Sequence, residues 1–310
     1  MRILITGSTG QLGQQLRNSA PKTVLGEQPS LVCLDRHSLD MSDLDACRKA
    51  IREIEPDWLI NAAAYTQVDK AEREPQLAYL VNVDAPEVMS REMAHINGKM
   101  LQLSTDFVFD GNKSRPYQPE DQVNPLSVYG ASKAAGEEAV LSNLVTAHTK
   151  NGYVLRTSWL YGSTGKNFFR TMLRLHSQQQ EIRVISDHIG CPTSTRSLAP
   201  CCWKIVENAS REDNGGLPSR LHWSDAGVSS WYDFTVAIGE LGISLGLLDK
   251  SATVVPISMD EYPMDAPRPS FSLLNTSLTR KYLNMKVSHW RDELQRVAKE
   301  MVDHNSQHQL

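Results

Sequence analysis

Tyr129 and Lys133 stand four residues apart in the run Tyr-Gly-Ala-Ser-Lys. Residues at that spacing share one face of a helix. An ammonium would then lie beside a phenol and draw its pKa down from the ordinary value of about 10. A phenol tuned that way can give or take a proton near neutral pH. Taken alone, the pattern is common on solvated helix faces. Its context raises it: Ser104-Thr105 lies upstream, and the chain opens on Gly7-Ser-Thr-Gly10-Gln-Leu-Gly13.

Those three glycines follow a strand-like run and precede a helix-like one. A pyrophosphate placed there meets free amide N–H groups and the positive end of the helix dipole. Gly7 and Gly10 permit a sharp turn and close phosphate approach, while Gly13 lets helix and strand pack closely. The spacing is Gly-x-x-Gly-x-x-Gly, not the Gly-x-Gly-x-x-Gly of other dinucleotide folds, and a purely structural turn explains the loop equally well by itself. Asp35 ends the second strand about twenty residues on, where a carboxylate takes the adenosine ribose 2′-hydroxyl. Its neighbour Arg36 suits a 2′-phosphate, so NADH and NADPH both remain open, as does a solvated surface role for either charge. Asp40 and Met41 fall where an adenine would be contacted, and Ala62-Ala63-Ala64 makes a floor of small residues after the third strand.

Positioning these groups calls for alternating strands and helices. Strands are expected at 2–6, 31–34, 58–60, 100–104 and 153–156. Helices are expected at 11–19, at 42–54 with Ser42 as N-cap, and at 76–95 with a kink at Pro86. A further helix after Asn124-Pro125 would carry Tyr129 and Lys133. Beyond Ser158 the alternation loosens, with helices at 167–177, 231–245 and 291–302, a polar loop at 211–220 and a frayed tail from 303. The fold class is α/β, a Rossmann-type doubly wound parallel sheet. Residues 1–158 form the dinucleotide-binding domain and 159–310 mainly a smaller substrate-binding region, with segments free to return to the first.

Composition bounds the rest. The 310 residues are 40% hydrophobic and 22% charged, the balance of an ordinary globular chain that can bury a large core. A net charge of −4 provides no broad basic field, so nucleic acid is not an expected partner. No apolar run approaches the roughly 18 residues that span a membrane, and the first residues enter a strand-like run without a leader. The five cysteines (Cys33, Cys47, Cys191, Cys201 and Cys202) are scattered and show no Cys-x-x-Cys, which suits reduced thiols used as small apolar residues. A cytoplasmic enzyme is the expectation.

Several longer runs, Asn61-Ala-Ala-Ala-Tyr-Thr-Gln-Val-Asp-Lys-Ala-Glu72, Ser104-Thr-Asp-Phe-Val-Phe-Asp-Gly111, Pro125-Leu-Ser-Val-Tyr-Gly130, Arg156-Thr-Ser-Trp-Leu-Tyr161, Gly190-Cys-Pro-Thr193 and Pro267-Arg-Pro-Ser-Phe-Ser-Leu-Leu-Asn275, carry a resemblance. The sequence resembles the extended short-chain dehydrogenase/reductase superfamily, and within it the dTDP-4-dehydrorhamnose reductase branch. The resemblance implies NAD(P)H-dependent reduction of a nucleotide-sugar C4 ketone, with Thr105, Tyr129 and Lys133 as the catalytic set. It places Gly10, Gln11, Leu12, Asp35, Asp40, Met41, Ala64, Tyr65 and Thr66 along the cofactor. Val68, Asp106 and Trp159 fall around the sugar, and Arg268 near the nucleotide diphosphate, for which a guanidinium is well suited. Core packing for Trp159 and a surface ion pair for Arg268 are the plainer alternatives.

Three departures matter. Phe107 stands where the branch often has tyrosine. Gln15, Arg196 and Glu300 occupy positions at which some members use three glutamates to hold Mg²⁺ between subunits, so neither a metal site nor a metal-bridged dimer is expected. The stretch 142–152 is longer than usual. Another 4-keto-6-deoxy nucleotide sugar remains open as substrate, as does a non-catalytic role like that of the similar methionine adenosyltransferase β subunit.

Overall fold

The five apolar runs of the first half become strands, each within one residue of its expected ends: β1 (Arg2–Thr6), β2 (Ser30–Leu34), β3 (Trp58–Asn61), β4 (Lys99–Thr105) and β5 (Gly152–Thr157). This computed structural model describes residues 1–211 and 216–307, with side chains described to residue 303. Beyond Ser158 the strands shorten to β6 (Leu160–Tyr161), β7 (Glu181–Ile185), β8 (Ile189–Gly190), β9 (Thr193–Ser194), β10 (Arg220–His222), β11 (Ser229–Ser230) and β12 (Thr253–Ile257). β10 joins β5 in parallel, completing a six-stranded parallel sheet of order β10-β5-β4-β3-β1-β2. The order reverses between β1 and β3 as in doubly wound folds, whose ligands lie beyond the strands' carboxyl ends. Three two-stranded pieces, β6 with β9, β7 with β12 and β8 with β11, stand apart from it.

The helices are α1 (Gln11–Asn18), α2 (Leu44–Ile54), α3 (Val68–Ala71), α4 (Pro75–Tyr79), α5 (Ala85–His95), α6 (Val128–Leu144), α7 (Phe168–Gln178), α8 (Thr195–Ala209), α9 (Trp231–Ser244), α10 (Ser277–Leu283) and α11 (Trp290–Gln307). Side chains alternate across the strands. Leu4, Leu59 and Met100 pack under α2, α5 and α6, while Ile3, Ile5, Ile60 and Leu101 pack under α1 and α8. With both faces covered, the strands read as nearly continuous apolar runs. A separate core around Phe169, Phe234, Val184 and Trp290 joins α7, α9, α11 and β7.

Several expectations are corrected. Asp43, not Ser42, caps α2, accepting from Ala46 N at 2.9 Å, because Ser42 donates its N–H and hydroxyl to Asp40 at 2.9 and 2.8 Å. The expected helix at 76–95 breaks into α4, a π-turn at Leu80–Asp84, and α5. Pro86 has no N–H for the Asn82 carbonyl, and Gly136 of α6 packs against that carbonyl so closely that a Cβ would lie 2.0 Å from it. The unexpected α8 contains Pro200, which reads as a breaker in sequence, yet Ser194 caps its start at Ser197 N, 3.0 Å. α11 holds to Gln307, so the tail is helical past residue 303; residues 308–310 lie outside the described residues, as do 212–215 of the expected loop. Within the 142–152 stretch α6 runs on to Leu144, and a tight turn follows, closed by Thr146 N to Thr149 O, 2.9 Å, with Val145 bridging Lys150. It precedes β5 and so lies at the opposite end of the sheet from the strands' carboxyl ends. All five cysteines are free thiols, and among the described residues no helix is long and apolar enough to cross a membrane.

Candidate active site

A cleft of about 1200 Å³ runs along the carboxyl ends of the strands, from the glycine loop to β7 and the segment around Arg268. At its first end Gly7 adopts φ +63°, a conformation that L side chains rarely adopt, and any Cβ there would lie 2.8 Å from Ala63 N. A Cβ on Gly13 would stand 2.2 Å from Gly7 O, so α1 can pack this closely on β1 only with glycine there. Gly10 caps α1 without a side-chain hydrogen bond, which leaves the first-turn amides available to an anion. Gln11, Leu12, Ala64, Tyr65 and Thr66 line this part of the cleft, and the Tyr65 hydroxyl is tied to Glu74 at 2.9 Å. The loop therefore fits a dinucleotide.

The charges at the end of β2 are placed differently from the sequence expectation. Asp35 does not line the cleft; its Oδ1 accepts the N–H groups of Ser38 at 2.9 Å and His37 at 3.1 Å, capping its own turn. The Ser38 hydroxyl, which also donates to Oδ1, does most to hold the carboxyl below its ordinary pKa, and these N–H groups add to it. Arg36, Asp40, Met41 and Ser42 line the cleft instead. Arg36 is exposed, with only a 3.9 Å approach to Asp40.

Tyr129 and Lys133 reach the cleft because α6 starts where it does. Ser127 caps it, accepting from Gly130 N at 3.2 Å, and Glu72 Oε1 accepts from Val128 N at 2.8 Å. Gly130 brings the helix against Phe107 O, where a Cβ would come within 2.3 Å. Phe107 meets the Tyr129 ring edge-on, centroids 5.7 Å apart. Thr105 ends β4, its Oγ1 accepting from Phe107 N at 3.2 Å and donating to Asp106 Oδ1 at 3.1 Å.

The expected tuning of Tyr129 by Lys133 is not what the site contains. Lys133 Nζ, buried, donates to Leu103 O at 2.7 Å. Burial pulls the ammonium down to about 8, partly offset by Glu137 one turn along α6. The Tyr129 phenol is pushed up to about 12, by burial first; Thr105 opposes this and the Asp106 charge adds to it. Behind Lys133 lies a closed network. Glu137 receives Arg156 through Nε at 2.9 Å and Nη2 at 2.6 Å, and accepts the Ser104 hydroxyl. Arg156 also donates to Pro119 O at 3.1 Å. Both ions are almost wholly buried.

Toward the substrate end, Asp106 is buried with Oδ2 unpartnered, and burial lifts its carboxyl to about 6 while the Ser272 and Thr105 hydroxyls oppose. Thr157 Oγ1, beside Thr105 in the β4–β5 register, is likewise buried without a partner. Trp159 sits at φ +45°, its indole stacked on Trp231 with centroids 3.6 Å apart and planes 9° from parallel. Gly190 lies against that indole; a Cβ there would be 2.6 Å from the ring. Val68 opens α3 on the cleft wall. Arg268 lines the cleft too, with Nη2 on Asp69 at 2.7 Å, so the surface ion pair and a free guanidinium edge coexist. Thr157, Trp231, His188 and Ser272 were not expected; Thr157 and Ser272 lie within runs that carried the resemblance, whereas His188 and Trp231 lie in none.

Comparison with known proteins agrees with this geometry. The family described as RmlD substrate binding domain matches residues 1–303. The chain belongs to that family. It is 35% identical over 310 residues to the dTDP-4-dehydrorhamnose reductase of Salmonella typhimurium, covering 97% of this chain and 98% of that one. It is 33% identical over 299 residues to the spore coat polysaccharide biosynthesis protein SpsK of Bacillus subtilis, covering 96% and 97%. Among solved structures, dTDP-4-dehydrorhamnose reductase of Bacillus anthracis in complex with NADP superposes with a TM-score of 0.85 at 32% identity, covering 96% of this chain and 99% of that one.

Proposed function

We propose that this protein reduces the C4 ketone of dTDP-4-dehydro-L-rhamnose to give dTDP-L-rhamnose, with NADPH as coenzyme. The observation that carries this reading is the convergence of Thr105, Tyr129 and Lys133 on one cleft that also begins at the glycine loop, in a chain matched end to end by reductases of that name. NADPH supplies the hydride. Tyr129 gives its proton to the oxygen forming at C4. A phenol held near 12 stays protonated at neutral pH, and a sugar alkoxide is the stronger base, so transfer runs downhill without a lowered pKa. Thr105 hydrogen-bonds the same oxygen and steers the phenol. Lys133, pinned on Leu103 O, would hold the nicotinamide ribose and supply a positive charge beside the reacting groups. Asp106 Oδ2 and Thr157 Oγ1 offer partners to sugar hydroxyls. Arg36, exposed on the cleft wall with only the 3.9 Å approach to Asp40, favours a 2′-phosphate.

The same reading includes catalysis without a divalent ion. Glu300, the one carboxylate of the three matched positions, is bound by Arg196 and by Ser163 Oγ at 3.3 Å, and a cation beside it opposes Mg²⁺. The test is to mix protein, NADPH and dTDP-4-dehydro-L-rhamnose, follow nicotinamide absorbance, and repeat after exhaustive chelation. Sugar-dependent oxidation that survives chelation is expected. No oxidation with this sugar, but oxidation with another 4-keto-6-deoxy nucleotide sugar, would replace the substrate; none with any would favour a non-catalytic role.

A further inference from the structure

Three histidines are buried among the described residues, and they are not alike. His176 is saturated, with Nε2 at 3.0 Å from Thr235 O and Nδ1 at 3.1 Å from Ser251 Oγ. His222 is saturated as well, with Nδ1 at 3.1 Å from Tyr117 O and Nε2 at 3.4 Å from Arg156. His188 is 4% exposed, lines the cleft, and forms no hydrogen bond within the described protein. Its ring nitrogens are reached by solvent through the cleft, which leaves them open to a ligand where the other two rings are not.

The backbone around it is fixed from both sides. Asp187 accepts from Met259 N at 3.0 and 3.1 Å, and Ile189 exchanges bonds with the next strand-like segment, Ile189 N to Ser270 O at 2.7 Å and Ser272 N to Ile189 O at 2.8 Å. The second set of bonds draws His188 beside the segment that bears Arg268. The acidic groups nearby are already engaged: Asp187 on Met259 N, Asp69 on Arg268 and Ala266 N, and Glu261 on Arg183 and its own turn. What faces the cleft here is a set of donors, the imidazole N–H and the remaining guanidinium N–H groups of Arg268. Converging donors match an anionic oxygen, and the cleft's carboxyl oxygen without a partner, Asp106 Oδ2, belongs to the group beside Thr105. Burial lowers the imidazole's pKa, Asp187 opposes, and Arg268 adds to the lowering, so the ring meets a ligand as a neutral donor.

We infer that His188 is a ligand of the substrate's diphosphate, donating one hydrogen bond beside the Arg268 guanidinium. This rests on the nucleotide-sugar reading above and adds a residue to it. The two partners contribute differently. Arg268 supplies charge and a planar fork, and His188 supplies a directional bond from a pinned backbone.

The experiment measures binding of dTDP and of thymidine by calorimetry, and steady-state kinetics with the sugar nucleotide, for wild type, His188→Phe and His188→Gln. His188→Phe keeps a buried ring and drops the donor; His188→Gln keeps a donor. The expected result is a dTDP Kd and a sugar-nucleotide KM about tenfold higher in His188→Phe, as for one lost bond to a charged group. kcat, NADPH affinity and thymidine affinity stay within about twofold, and His188→Gln recovers most of the loss. Unchanged dTDP affinity in a folded His188→Phe overturns the inference, as does an equal loss for thymidine, which would make His188 a reader of the nucleoside. Should His188→Phe fail to fold, the imidazole resonances of the wild-type protein decide, assigned by their absence in His188→Gln. They shift with dTDP and not with thymidine if the inference holds, and respond alike to both if it does not. A wild-type protein that binds no dTDP would end the functional reading and this one together, whereas turnover with indifferent His188 variants would end this one alone.

Discussion

The floor beneath Lys133 and the wall that carries His188 and Arg268 follow opposite plans. Beneath Lys133 the polar groups are paired within the protein: Lys133 on Leu103 O, Ser104 on Glu137, Glu137 in the fork of Arg156, Arg156 on Pro119 O. On the substrate side, among the described residues, Asp106 Oδ2 and Thr157 Oγ1 are buried without a partner, and the His188 ring and part of Arg268 face the cleft. The difference sorts groups by when they are used. A proton donor and its supports must hold one geometry through every turnover, and a closed network gives that. A group that binds a passing ligand must keep a bond unmade until the ligand arrives.

The largest expected effect tests the floor's chemistry. Tyr129→Phe removes the proton donor and leaves the Phe107 edge contact possible, so kcat should fall about 10²–10⁴-fold, with NADPH affinity and melting temperature nearly unchanged. A variant with near wild-type kcat on the natural sugar would remove Tyr129 from the mechanism. Arg156→Ala strikes the network instead. Stranding a buried Glu137 should cost about 3–5 kcal/mol of stability, read by chemical denaturation, against almost nothing for Arg268→Ala, whose partner Asp69 is half exposed. Equal losses at the two arginines would mean that the contrast between floor and wall is not energetic.

The contrast also explains what could be read in the sequence. The floor comes from short contiguous runs: the glycine loop, the end of β4, and one turn of α6. Local spacing therefore singled out Gly7, Gly10, Gly13, Tyr129 and Lys133, and the resemblance added Thr105. The wall is assembled from α3, the β7–β8 turn, the start of α9 and the segment at 268–272, which no local pattern links. His188 and Trp231 were invisible for that reason. Even on the floor, spacing gave proximity but not bonding. A four-residue interval put Lys133 on the face of Tyr129, yet the ammonium found a backbone carbonyl, which sequence spacing does not register. Likewise Asp35 had the right position for a ribose and used its carboxylate on its own turn.

The pH dependence sharpens the floor further. Lys133, held near 8 by burial, is charged below that pH and neutral above it, whereas the phenol stays protonated to about 12. The alkaline limb of kcat/KM for reduction should therefore fall with an apparent pKa near 8 and belong to Lys133. Lys133→Arg, slower though it will be, should shift that limb upward by at least about one unit, since a guanidinium does not titrate in this range. A limb that stays in place in Lys133→Arg would assign it to another group.

The smallest expected effect concerns the other end of the cleft, where coenzyme choice was ambiguous in sequence. Arg36 and Asp35 are neighbours with opposite charge, but only Arg36 lines the cleft. Asp35 already accepts two backbone N–H groups and holds the turn from which Arg36 projects. Arg36→Ala should therefore lower the NADPH/NADH ratio of kcat/KM by about tenfold, the worth of one exposed charge-assisted bond to a 2′-phosphate. Raising the salt concentration should erode the wild-type preference in the same direction, because that bond lies in water. Asp35→Ala should leave the ratio within about twofold and instead lower stability slightly through the lost turn cap. If Asp35→Ala raised the ratio more than Arg36→Ala lowered it, the carboxylate would be reading the ribose after all, and its turn would have to open when coenzyme binds.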